Sequence, residues 1–345
     1  STLAAHGGNV CRDDSEGVRV EIEVMWSDPL DGVTHTARVT GPSIILAYPP
    51  KDWDRKGARI PDSLLSHPEW PPEKGMEWLR AVKSHRREES TQVTRWKSMG
   101  WVPSDDGVPS YTCGDVVVTA DGASENSSIV GVTSDVLSGA PNFGVIPTDP
   151  DVDWKAQALE DLEAVLETYL DSGAWTSPSM AATILAIALR PAVPILPRTV
   201  AYFVGPRRSG KTYSATHVMS FWQPRPGVWG GETLPGSAKD TIASMEHSVA
   251  HANIWVSDDL APSISRGQAE REESSIGDLM RSIHNGVGKR RMFADGTPRP
   301  VLNPRAALVV TAENEPSVSS VGDRIILLQF GDGALGPTEA TSRLD

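Results

Sequence analysis

The stretch Val200-Ala201-Tyr202-Phe203-Val204-Gly205-Pro206-Arg207-Arg208-Ser209-Gly210-Lys211-Thr212-Tyr213 decides how this chain is read. Its first five residues are uniformly apolar, as in a short strand buried on both faces. The next eight spell G-x-x-x-x-G-K-T, and a helix is expected from Tyr213 to Phe221. Strand, glycine-flanked loop and helix in that order make a phosphate-binding loop. Backbone amides of such a loop surround the β-phosphate, its lysine reaches the β/γ oxygens and its threonine hydroxyl ligates magnesium. The reading predicts a site for ATP and Mg2+ contacted by Gly205, Pro206, Arg207, Arg208, Ser209, Gly210, Lys211, Thr212 and Tyr213.

Downstream, Asn253-Ile254-Trp255-Val256-Ser257-Asp258-Asp259 reads as an apolar strand ending in two carboxylates, which looks like a Walker B element. Asp258, with Thr212, is expected to hold the metal. Asp259 is expected to orient or deprotonate the attacking water. A further strand, Ala306 to Val310, runs into Thr311-Ala312-Glu313-Asn314, and Asn314 is the candidate for a residue touching both the γ-phosphate and that water. Arg324 precedes an apolar strand from Ile325 to Phe330. It is a candidate arginine finger for a neighbouring subunit's γ-phosphate, the alternative being a surface ion pair.

Upstream, Val18 to Met25 alternates apolar with charged residues, the period of a half-buried strand, and a turn at 27–32 leads to a second strand, Thr34 to Val39. Tyr48 to Gly75 is rich in proline and charge and reads as loops, Trp78 to Arg87 as a short helix, and Tyr111 to Thr119 as one strand. Asp153 can cap a helix to about Asp171, with Leu159, Leu162, Leu166 and Leu170 on one face, and a second helix fits Pro178 to Leu189. The expected organisation is a β-rich N-terminal domain over 1–122, a linker over 123–150, a helical connector over 151–195 and a P-loop ATPase domain over 196–345.

With 345 residues, 39% hydrophobic and 22% charged, the chain has the composition of a multidomain globular protein. No apolar run is long enough to cross a bilayer, so no membrane partner is expected. Two cysteines, Cys11 and Cys113, fit a reducing compartment, and a cytoplasmic protein is expected. The net charge of −13 argues against a nucleic-acid partner unless basic charge is concentrated locally, since screening confines each charge to its neighbourhood. It is concentrated: 281–305 holds six Lys/Arg against the single acid Asp295. Asp295-Gly296 is a hairpin-turn pair that would put Lys289, Arg290, Arg291 and Arg299 on two arms.

The order of these motifs resembles the superfamily 3 helicases of the AAA+ class. The likeness is carried by Thr311-Ala312-Glu313-Asn314-Glu315-Pro316-Ser317-Val318 leading to Asp323-Arg324. Met99-Gly100-Trp101 before a strand, and Ile283 to Arg291, are similar to helicase-like ATPases of phages and integrative elements. The resemblance implies an α/β fold with an AAA+ type P-loop NTPase core. It also implies a hexameric ring and a β-hairpin that grips DNA in the central channel, here through Lys289, Arg290, Arg291 and Arg299. The expected function is ATP-driven helicase or translocase activity in the replication of a mobile element. An ATP-switched DNA-binding or assembly factor is the main alternative, and a small-molecule phosphotransferase the weaker one.

Overall fold

A computed structural model of the chain describes residues 4–6, 10–13, 17–27, 33–89, 92–96, 98–103, 107–113, 116–119, 122–124, 129–131, 153–222, 229–260, 266–292, 296, 298, 301–316, 322–342 and 344. It falls into two units, Ser1–Lys97 with Glu125–Val130, and Ser98–Ser124 with Gly131–Asp345.

The first unit is a six-stranded sheet made of β1 (Ala4–His6), β2 (Val10–Asp13), β3 (Gly17–Ser27), β4 (Thr34–Pro42), β5 (Gln92–Trp96) and β10 (Ile129–Gly131), with helices α1 (Asp62–Leu65) and α2 (Gly75–Glu89). The expected hairpin is β3 against β4, antiparallel, with Ile22 opposite Val39 and Val24 opposite Ala37. Alternation does its work here: Val20, Ile22 and Val24 are buried, and Trp53, Leu64, Trp70 and Leu79 close over them.

The second unit begins with a four-stranded antiparallel meander, β6 (Gly100–Val102), β7 (Ser110–Cys113), β8 (Val116–Thr119) and β9 (Gly122–Ser124). Tyr111 to Thr119, expected as one strand, is therefore two strands paired Tyr111 to Val118. The pair Gly114-Asp115 between them is of the type that closes a two-residue hairpin. The meander packs with the second unit: Met99 and Tyr111 share a core cluster with Met245 and Leu279, and Asn253 Nδ2 donates to the Tyr111 hydroxyl at 2.8 Å. The described residues of 98–122 thus pack with the parallel-sheet core, where the sequence reading put them in the N-terminal domain. β9 and β10 occupy part of the segment expected as linker, and 132–150 lie outside the described residues.

Helices α3 (Trp154–Asp171) and α4 (Pro178–Leu189) follow, each capped by a side chain that accepts first-turn amides, Asp153 and Ser177 respectively. Leu159, Leu162, Leu166 and Leu170 on α3 are 36–57% exposed, while Tyr169 turns into the core.

The centre of the unit is a five-stranded sheet in the order β12 (Gly236–Ser237), β13 (Ile254–Leu260), β14 (Ala307–Ala312), β11 (Val200–Val204), β15 (Ile326–Gln329), every pairing parallel. Parallel strands need both faces covered, and successive side chains divide accordingly. Val200, Tyr202 and Val204 face one core with α6 (Ile242–His251) and α7 (Arg266–Asn285), whereas Ala201 and Phe203 face the other with α4 and α5 (Lys211–Ser220). The protein has the expected α/β fold, a helix-covered parallel sheet whose second strand from the edge runs into the phosphate-binding loop.

Candidate active site

Because the strands are parallel, their carboxyl ends line one edge of the sheet, where open α/β folds bind ligands. Gly205 follows β11 there, Asp258 and Asp259 stand near the end of β13, and Thr311 to Asn314 run from the last two residues of β14 into the segment after it. β14 lies between the strand of the phosphate loop and the strand of the paired carboxylates.

Two glycines are fixed by close approach. An added Cβ at Gly205 would stand 2.0 Å from the carbonyl oxygen of Phe330, and its amide donates to Ala312 O at 3.2 Å. Gly210 is left-handed (φ 99°), and a Cβ there would lie 2.4 Å from the Leu335 side chain. The loop between them carries exposed Arg207 and Arg208, the latter left-handed at φ 64°, and buried Ser209, whose hydroxyl has no hydrogen-bond partner among the described residues.

Lys211 Nζ donates to Gly205 O at 2.8 Å and to Pro206 O at 2.7 Å, so the loop's own carbonyls aim the ammonium at the loop mouth. Burial pulls its pKa below the ordinary lysine value, against the charges of Glu313, Asp258 and Asp259, which hold the proton on. Thr212 Oγ1 donates to Asp258 Oδ1 at 3.1 Å, and Thr311 Oγ1 donates to the same oxygen at 2.6 Å. Asp259 is left-handed (φ 64°) at a break in the β13–β14 register. Its amide donates to Thr311 Oγ1 at 3.0 Å, and its carboxylate lies 3.8 Å from Lys239 Nζ. An added Cβ at Gly231 would come within 3.2 Å of Thr212 Cγ2, so the turn at 230–234 closes on the same point. A hydroxyl and a carboxylate joined in this way, beneath a lysine at a glycine loop, fit a magnesium–triphosphate group.

The structure thus brings Gly205, Gly210, Lys211, Thr212 and Asp258 together, with Asp259 and exposed Asn314 at the adjoining strand ends; Asn314 O accepts from the Tyr202 hydroxyl at 3.1 Å. Tyr213 differs from the rest of the expected set. Its hydroxyl donates to Thr341 O at 2.9 Å and its ring packs 4.4 Å from that of His217. Thr311 and Glu313 were not among the expected site residues. Arg207 Nε reaches Glu313 Oε1 at 2.6 Å, across the gap from loop to β14.

No protein-family model matches the chain, and no curated protein matches it. Among solved structures it is similar to an active helicase, Cch of SCCmec type IV, at 16% identity and a TM-score of 0.46, over 100% of this chain and 57% of that one. It is also similar to the JCV helicase bound to a thiazolopyridine ligand (17% identity, TM-score 0.32, 48% of this chain and 46% of that one). A third similar structure is the NrS-1 C-terminal region (8%, TM-score 0.38, 93% and 63%). The chain therefore spans about half to three fifths of the length of these solved chains.

The basic segment lies between α7 and the start of β14, at the opposite, amino edge of the sheet. Met292 and Pro298 form an isolated antiparallel bridge, and Gly296 between them is left-handed (φ 82°); Asp295, the other residue of the expected turn pair, lies outside the described residues. Gly288 is pressed against Leu302, where a Cβ would meet the carbonyl oxygen at 1.9 Å. The basic side chains are not equivalent. Lys289 Nζ contacts Asp278 Oδ2 at 2.8 Å, beside Arg281 on the same carboxylate, and Arg291 Nη2 contacts Glu246 Oε2 at 2.5 Å. Arg290 is exposed, and Arg299 lies outside the described residues.

Arg324 is half-buried and precedes β15, in which Ile326 pairs with Ala201. It lies in the turn just before β15, whose first residue stands four residues below the level of Gly205, about 13 Å at roughly 3.3 Å per residue, so Arg324 enters at the amino edge of the sheet, away from its own phosphate loop.

Proposed function

We propose that this chain is an ATP-hydrolysing, AAA+ type motor of the superfamily 3 kind that works on DNA. In the fuller reading it is a hexameric helicase or translocase serving replication of a mobile element in the cytoplasm. The observation that carries the ATPase part is the Thr212–Asp258 hydrogen bond of 3.1 Å below Lys211. Two elements more than forty residues apart in sequence converge there on the groups that a metal-bound triphosphate requires.

Gly205 to Thr212 would hold the β- and γ-phosphates, with Lys211 exchanging its carbonyl partners for phosphate oxygens. Magnesium at Thr212 and Asp258 would neutralise charge between the two phosphates. Water attacks the γ-phosphorus as the bond to the bridging oxygen breaks, ADP departs, Asp259 and Asn314 at the strand ends orient the water, and the Asp259 carboxylate accepts its proton. The place of Arg324 at the amino edge of the sheet, away from its own loop, favours a role on a neighbouring subunit. The exposed Arg290 in the basic segment supports a DNA contact. The acids held by Lys289 and Arg291 favour, as a second reading, an ATP-switched DNA-binding factor that never separates strands.

The test is steady-state ATP hydrolysis with and without single-stranded DNA, at two salt concentrations, for the wild type and the triple variant K289A/R290A/R291A. Stimulation by DNA that fades in high salt and in the variant supports the motor, and unwinding of a forked duplex separates it from the switch. Hydrolysis indifferent to DNA throughout overturns both DNA readings. Mixing Arg324→Ala with Lys211→Ala subunits tests the shared site: if neither variant alone loses hydrolysis, sites are not completed between subunits.

A further inference from the structure

The P-loop motif leaves its second variable position open, and here that position is Arg207, paired with a carboxylate that belongs to another strand. Glu313 is the first residue after β14, and its side chain is 24% exposed against 81% for Arg207. The acid is thus set in the wall of the site while the guanidinium lies over it from the solvent side. Glu313 also acts on Lys211, as the strongest of the three carboxylate charges that hold the lysine's proton in place against burial.

A carboxylate beside the lysine of a phosphate loop opposes the binding of a polyanion. That opposition grows with each phosphate added towards it and is lifted only while a cation covers the acid. Arg207 can cover Glu313 or can turn to the ligand. A terminal phosphate offers the guanidinium fork two charged oxygens, a stronger partner than a single carboxylate contact. A diphosphate, whose last group sits at the loop amides, offers Arg207 nothing comparable.

We propose that Arg207 and Glu313 together distinguish a nucleoside triphosphate from a diphosphate, Arg207 leaving Glu313 to grip the terminal phosphate and Glu313 acting as the competitor that sets the affinity gap. This rests on the ATP-binding reading above. The two residues must therefore act with opposite signs, which a mere brace between loop and strand does not do.

The experiment is calorimetric titration of the full chain with a non-hydrolysable ATP analogue and with ADP, each with Mg2+, for wild type, Arg207→Ala, Glu313→Gln and the double variant. Arg207→Ala is expected to weaken the triphosphate analogue about tenfold, the scale of one exposed charge-assisted contact, and to leave ADP within about twofold. Glu313→Gln is expected to tighten the analogue several-fold with ADP unchanged, and the double variant to bind the analogue more tightly than Arg207→Ala, because the uncovered acid is gone. The proposal is overturned if both single variants weaken binding, or if analogue and ADP shift alike. A wild type that binds neither nucleotide overturns the ATP reading itself, whereas a wild type that binds both with variants that do not differ overturns only the role of this pair. Thermal melts of Glu313→Gln, close to isosteric with the parent, show whether any change is one of folding.

Discussion

Thr311 Oγ1 donates to Asp258 Oδ1 at 2.6 Å while accepting the amide of Asp259 at 3.0 Å, so one buried hydroxyl fixes the Asp258 carboxylate and the backbone of Asp259 at the end of β13. Thr311→Val keeps the shape and removes both bonds. It leaves a partly buried carboxylate oxygen and an amide short of a partner, a cost of about 1–3 kcal/mol. A lower melting temperature is expected, together with a fall in Mg2+-dependent hydrolysis of at least about tenfold, since Asp258 loses the bond that orients it. Thr311→Ser keeps the hydroxyl and should restore most of both. A Thr311→Val protein with wild-type hydrolysis would mean that Thr212 alone positions Asp258.

Thr311 shows where the sequence was legible and where it was not. The phosphate loop, the paired carboxylates and β14 could be read because each is a local pattern, an apolar run with its chemistry at the end. Just past β14 the local pattern points to Asn314, an exposed residue, while Thr311 sits 1% exposed in the run Leu308-Val309-Val310-Thr311-Ala312. A lone hydroxyl in a strand buried on both faces must be satisfied by something, and that demand was the missed signal. Helix α7 shows the opposite case. Its apolar set, Ile276, Leu279, Met280 and Ile283, has helical spacing but occupies only the second half of 20 residues, behind a polar first half that has no single face. The acids opposite Lys289 and Arg291 could not be read, because they lie on two different helices that only the packing of the sheet brings to the basic segment.

Gly205 illustrates a glycine with two duties. Motif chemistry assigns it to the phosphate loop, yet an added methyl would meet Phe330 O at 2.0 Å, in the β11–β15 contact where Phe330 N donates to Val204 O at 2.7 Å. Gly205→Ala is therefore expected to cost stability as well as nucleotide binding, with a thermal shift of the size of an overpacked core site, about 1–3 kcal/mol. Lys211→Ala, by contrast, should abolish nucleotide binding with little change in melting. Parallel melts and titrations check the pair, and equal stability of the two variants would remove the second duty.

Lys211 should give nucleotide binding an alkaline limb. Burial lowers its pKa, so as pH rises the ammonium is lost earlier than from an ordinary lysine, and affinity for the triphosphate analogue falls with it. The phosphates stabilise the charged form, and binding in that range must take up protons, measurable as a dependence of the binding enthalpy on buffer. Folding lowers this pKa, so the folded chain binds fewer protons than the unfolded one just below the ordinary lysine value. The group's contribution to stability accordingly rises with pH across that window. Lys211→Arg keeps its charge at any accessible pH, and its affinity should be flat there. A limb that survives in Lys211→Arg belongs to another group.

The basic segment divides by partner. Arg291 contacts Glu246, whose side chain is 8% exposed and whose second oxygen, Oε1, is buried without a hydrogen bond, so Arg291→Ala leaves a carboxylate uncovered in the interior. A loss of about 1–3 kcal/mol is expected, less than for a fully buried pair because Arg291 itself is 37% exposed. Lys289 contacts Asp278, whose pKa is lowered first by the Lys289 and Arg281 hydrogen bonds. That contribution is present above the ordinary carboxylate value and is lost as pH falls through the lowered one. Arg290 is exposed and its replacement by alanine should leave stability unchanged. For DNA the order reverses: Arg290→Ala should remove about 0.7 from the slope of log affinity against log salt on single strands, one phosphate's share, while Lys289→Ala and Arg291→Ala remove less. Asp278→Asn should then strengthen binding by releasing Lys289. Anisotropy titrations across salt measure all four, and equal slopes for the three basic variants would mean that both ion pairs open when DNA binds.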